Sequence, residues 1–318
     1  MINGELIDLR AGAYEARVAT QGATLVHLRH EGCDVVIPFD AATSMPEGWQ
    51  GRTLVPWPNR IKGSVYTYRG ETYPVPCNEP ETGSALHGLV GWSDFAVASD
   101  TPQEGEPSEV VLLELALPAS YAYPWALEVT VRFSLDVTTG LTVTTTTTNV
   151  GAAARGIVAT GAPLVDGEAA PAPYGVSCHP YLTRSVPLDE CVLEMPADLV
   201  LDVDPDTMAP TGTRDITGSD WDWRGGRLVG DTQTDNAYTG LPEGMWSVRL
   251  SGGDGGRSAV ITSNVAWCQL YTADQLGRPG VAVEPMTCPP NAFNTGQDLL
   301  TLAVGESHEF VYRLCEEA

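Results

Sequence analysis

The chain has 318 residues, 43% of them apolar and 18% charged, which is ordinary globular usage and excludes a disordered polyelectrolyte. Its 41 acidic and 17 basic residues give a net charge of −24, so its surface repels nucleic acid and anionic membrane and favours neutral partners. That acidity serves solubility and by itself names no substrate.

The opening residues, MINGELIDLR, lack the basic start and apolar stretch of a signal peptide, and no run of 18 apolar residues follows. The expectation is a cytoplasmic protein without a membrane span. Seven cysteines, odd in number and scattered from Cys33 to Cys315 without a C-x-x-C pair, read as reduced and mostly buried thiols. The 33 glycines and 24 prolines suit a chain of strands and turns.

In chain order, short strand-like runs at residues 23–29, 64–69 and 110–117 are each bounded by Gly, Pro, Asn or Asp. In residues 125–136, Trp125, Leu127, Val129, Val131, Phe133 and Leu135 alternate with polar residues from Glu128 onward, the period of a half-buried strand. A Thr138-Thr139-Gly140 turn and the β-branched run LTVTTTTTNV then predict an antiparallel hairpin. Similar runs recur at 246–250, 258–262, 268–272 and 307–314. Without convincing helical spacing over more than about a dozen residues, the pattern predicts an all-β fold. We expect a large antiparallel β-sandwich with few short helices, forming one domain over residues 1–318.

On such a scaffold, function falls to polar residues in loops and at strand ends. Glu284 follows the apolar Val281-Ala282-Val283 and precedes Pro285, so a carboxylate closes a buried strand, where it must be used or paired. His179 precedes Pro180-Tyr181 in a similar setting, although a lone histidine of this kind is more often a satisfied structural residue. His87, in LHGLVGW, could bond a neighbouring carbonyl, and Arg60, after Pro-Trp-Pro-Asn, could brace its own loop. Asp235 before Asn236 favours a plain turn. The remaining histidines, His27, His30 and His308, fall in strand-like runs. None of His87, His179, Asp235 and Glu284 forms a close-spaced metal pair, so no metal is expected, and there is neither a phosphate loop nor a G-x-S-x-G elbow.

In order, Asn59-Arg60-Ile61, Leu86-His87-Gly88, His179-Pro180-Tyr181, Asp235 and Glu284 resemble the motifs of the aldose 1-epimerase family over residues 50 to 297. The wording around them looks most like a bacterial branch that includes sulfosugar-associated mutarotases. The resemblance implies a β-supersandwich of the galactose mutarotase type with an open sugar cleft. It also implies cofactor-free interconversion of the α- and β-anomers of a free hexose, in a monomer or homodimer.

By the same resemblance, Glu284 is the general base and His179 the general acid. Arg60, His87 and Asp235 hold the sugar's oxygens. Leu182-Thr183 and the bulkier Pro56-Trp57-Pro58 depart from the galactose enzymes and leave the hexose open. Hemiacetal opening needs one proton removed from the C1 hydroxyl and one delivered to the ring oxygen. A nearby carboxylate, Asp235 among the candidates, would hold His179 protonated. Trp57, Trp267 and Tyr271 are candidates to pack the pyranose face, or equally the core. A hexose-6-phosphate or sulfosugar would need an added cation, for which Arg184 is a candidate. A non-catalytic carbohydrate-binding protein would need no matched acid and base.

Overall fold

The alternation in Trp125–Asp136 buries one face of that strand, and the chain returns as Gly140–Ala152 in antiparallel register with it. This hairpin lies within a nine-stranded antiparallel sheet that continues through Ser307–Glu317, Ser258–Ser263 and Trp246–Ser251. The computed structural model describes residues 2–98, 108–153 and 161–318. Among these, the one α-helix is Ala292–Thr295, joined by short 3-10 turns, and no helix is long and apolar enough to cross a membrane.

The expected strands are present, most within a residue or two, and the last runs three residues further, to Glu317. The 64–69 run shortens to Val65–Tyr68 because residues 62–64 form a 3-10 turn. The N-terminal strands Leu6–Ala11 and Tyr14–Ala19 lay outside the sequence expectation. They join Thr24–His30 and Cys33–Asp34 in a four-stranded sheet.

A second large sheet has eight strands, in which Asp235–Thr239, Trp267–Tyr271 and Val281–Met286 are consecutive neighbours. Val281, Val283, Cys268, Leu270 and Tyr238 of these strands share one apolar cluster with Val129, Val131, Val248 and Ile261 of the nine-stranded sheet. Because successive side chains alternate across a strand, the opposite face receives Glu284, Gln269, Tyr271 and Asp235. One face thus builds the core while the other carries the polar chemistry.

Two sequence expectations are corrected here. Glu284 does not end its strand, because the ladder runs on through Pro285 to Met286, opposite Cys268 and Trp267. Asp235 is not a turn residue but the first residue of Asp235–Thr239.

Candidate active site

Register assembles the polar row. Glu284 lies directly opposite Gln269, and Gln269 faces Ala237, two residues beyond Asp235. On the other side of Val281–Met286, Ser177 pairs Met286 and Tyr181 pairs Ala282, which places His179 across from Glu284. The result is a contact of 3.3 Å between His179 Nε2 and Glu284 Oε1, with both side chains buried. A second short ladder, Arg60–Ile61 against Ala85–Leu86, brings Arg60 and His87 over the row.

Glu284, His179, Asp235, Arg60 and His87 line a cavity of about 520 Å³, a size that accommodates small ligands. His87 turns into it with a left-handed backbone (φ +62°), followed by Gly88 at φ +75°. A Cβ on Gly88 would lie 2.2 Å from the Val55 carbonyl oxygen, so only glycine fits this close approach.

Polar partners fix several orientations. Gln269 Nε2 donates to Asp235 Oδ1 at 2.7 Å, and Arg60 makes a two-pronged bond to Glu79. The Asn59 backbone N–H donates to His87 Nδ1 at 3.2 Å, so the imidazole accepts here instead of bonding a neighbouring carbonyl. His87 Nδ1 is therefore the acceptor, and Nε2 carries the ring proton. Ligand atoms of His87, His179 and Glu284 lie within 4.8 Å of one another, as a metal would need. With Nδ1 engaged and Nε2 protonated, however, His87 has no lone pair to give, and the trio suits a hydrogen-bonding ligand better than a cation.

Burial dominates the electrostatics. It raises the Glu284 carboxyl well above the usual carboxylate range; Asp235 adds to this and Arg60 opposes it. Burial also pushes His179 down to about 3 and His87 well below its ordinary value. This corrects the expectation that a neighbouring carboxylate holds His179 protonated, since desolvation dominates at that ring. Burial likewise raises Asp235, while Arg60 and Gln269 pull it back. Burial works against the charge of Arg60, but Glu79, Asp235 and Glu284 hold it above its ordinary range.

Of the aromatic candidates, Tyr271 lines the cleft. Trp57 does not: it is 2% exposed and packs edge-on against Phe293 in the core, because the rigid turn at Pro56 and Pro58 points it inward. Trp267 is also buried, with Leu201, Ala237 and Met286, and donates to Asp298. The cleft tryptophan is Trp49, which meets His87 edge-on at 5.0 Å from a left-handed backbone (φ +62°). Arg184 is not an anion contact of this cleft either, since its Nη1 bonds the buried Glu316 carboxylate at 2.9 Å.

Sequence reasoning missed Trp49, Glu79 and Gln269. Gln269 had a usable signal, because it is two residues from Tyr271 on one strand and so shares its face. Trp49 and Glu79 sit in irregular segments, where no period marks the direction of a side chain.

Comparison with known proteins bears on the same architecture. The profile of the aldose 1-epimerase family matches residues 5–160 and 164–315. The uncharacterised protein YihR of Escherichia coli K12 is 35% identical over 313 residues, covering 98% of this chain and 93% of that protein. Among solved structures, a galactose mutarotase-like protein from Clostridium acetobutylicum superposes with a TM-score of 0.81 at 17% identity, covering 98% of this chain and 95% of the other. A GalM/aldose epimerase homologue from C. elegans superposes with a TM-score of 0.80 at 21% identity, covering 99% of each chain. These two structures share the fold; the family profile and the 35% relative show membership. The chain belongs to the aldose 1-epimerase family and is an isomerase.

Proposed function

We propose that this mutarotase interconverts the α- and β-anomers of a free hexose, with Glu284 and His179 exchanging the protons. The observation that carries the reading is the 3.3 Å contact between a buried carboxyl and a buried imidazole, at the floor of a sugar-sized cleft. Such a pair is costly to bury and gives no advantage to binding alone, which separates this reading from a carbohydrate-binding role.

The proton count balances. With Glu284 as carboxylate and His179 as imidazolium, Glu284 takes the C1 hydroxyl proton as the C1 carbonyl forms. The bond from C1 to the ring oxygen breaks, and His179 gives its proton to that oxygen. The pair is then glutamic acid and neutral imidazole, the state that burial favours. Rotation about C1–C2 presents the other carbonyl face, and the same transfers run backwards. Both forms of the pair hold the same number of protons, so no outside acid or base is consumed.

Arg60, His87 Nε2–H and Asp235 surround the pair and offer two donors and an acceptor to sugar oxygens. Fixed donors of this kind stabilise developing charge by about 3 kcal/mol each. Tyr271 and Trp49 supply apolar wall.

The test is polarimetry on freshly dissolved α-glucose and α-galactose. Wild type should shorten the relaxation and Glu284→Gln should return it to the buffer rate. A wild type that leaves both sugars at the buffer rate would refute the free-hexose assignment.

A further inference from the structure

Arg60 is held from both sides before any sugar arrives. Its backbone pairs with Leu86, and its side chain is gripped by Glu79 from the same short hairpin, Nε to Oε2 and Nη2 to Oε1, each at 2.7 Å. The Thr82 hydroxyl also donates to Glu79 Oε2. The Glu79 backbone is tied to Ser84 in both directions, N–H to O at 3.2 Å and 3.1 Å. Side-chain exposures of 13% for Arg60 and 17% for Glu79 leave the pair largely desolvated, and bidentate forks in such settings are geometrically specific.

The clamp matters because of what lies across the cleft. Asp235 and Glu284 both act electrostatically on Arg60. A guanidinium on a flexible stem, freed from Glu79, would settle on those carboxylates. It would then occupy space meant for the sugar and tie up the group that must accept a proton. With the clamp in place, Nη1 makes only a long 3.5 Å contact among the described residues, to Asn59 Oδ1, and remains open to a sugar oxygen.

We propose that Glu79 is a positioning residue of the reaction, holding Arg60 as a preset donor and keeping it off Glu284. It acts through Arg60 and not on the reacting atoms. The proposal rests on the mutarotase reading above.

A double-mutant cycle tests it, with Glu79→Gln, Arg60→Ala and the double variant assayed by polarimetry and followed by thermal melting. Glu79→Gln should lower kcat/KM on the order of tenfold to a hundredfold, the scale of a misplaced catalytic group. Its loss should divide between kcat and KM in the same proportion as that of Arg60→Ala. Glu79→Asp should recover part of the rate. In the Arg60→Ala background, Glu79→Gln should cost less than about twofold, because its target is gone. Should Glu79→Gln fail to fold, Thr82→Val, which loosens the carboxylate without removing it, replaces it in the cycle.

Additive losses, or an active wild type unaffected by Glu79→Gln, would overturn the positioning role alone. A wild type silent on every aldohexose would remove the function and the proposal together.

Discussion

The backbone N–H of Asn59 donates to Nδ1 of His87, and that bond sets the proton on Nε2, facing the cleft. The two ring nitrogens can be tested separately, because a Gln amide reaches the Nε2 position and an Asn amide the Nδ1 position. His87→Gln should retain part of the activity while leaving the Asn59 N–H unpaired, a cost of about 1–3 kcal/mol in stability. His87→Asn should keep the stability and lose the sugar contact. Polarimetry with chemical denaturation checks both. The reverse pattern would mean that the imidazole is oriented the other way.

Loss of either member of the buried pair should cost about 100-fold to 10,000-fold in kcat, the range for one general acid or base. Stability should move oppositely at Glu284. Its carboxyl titrates higher in the fold than in the unfolded chain, so its contribution is full below the unfolded value of about 4.3 and is lost as pH rises from there. Glu284→Gln removes that loss. We expect the inactive variant to melt higher than wild type at neutral pH, on the order of 2 °C, and the gap to close toward pH 4. A lower melting temperature would show that the carboxylate is better compensated than its surroundings indicate.

The pH profile of the reaction should look unlike that of a free histidine. The working pair holds one proton, and activity is lost on the acid side only when a second is added. Burial places the His179 step at about 3. On the alkaline side the limb follows loss of the pair's proton, which burial of Glu284 shifts upward. We therefore expect kcat/KM at pH 5 to match that at pH 7 after subtraction of the buffer-catalysed rate. An acid limb near about 6.5 would mean that His179 titrates as though solvated.

These pairings divide what the sequence made legible from what it did not. The strand Trp125–Asp136 could be read directly because alternation within one segment carries the signal. His179 and Glu284 were legible as residues in motifs, but their 3.3 Å contact depends on register between distant segments. Asp235 looked like a turn residue, because its local preference for turns was overridden by pairing with Tyr271. Glu79 could not be found from position alone, since an acid in a Pro- and Gly-containing hairpin has the composition of an ordinary solvated tip.

The aromatic wall gives the last prediction, because two tryptophans eight residues apart should fail in different ways. Trp57 is 2% exposed and packed on Phe293, so Trp57→Ala removes a filled core volume and should destabilise by about 3–5 kcal/mol. The folded fraction of that variant should keep the wild-type KM. Trp49 contacts His87 and Trp92 at the cleft edge and holds a left-handed backbone that L-residues adopt at a cost of about 1–2 kcal/mol. Trp49→Gly relieves that backbone cost while removing the wall, so it should melt within about 2 °C of wild type and raise KM severalfold. Thermal melting and Michaelis–Menten polarimetry on one hexose separate the two. If Trp57 changes KM and Trp49 changes only stability, the assignment of core and cleft is reversed.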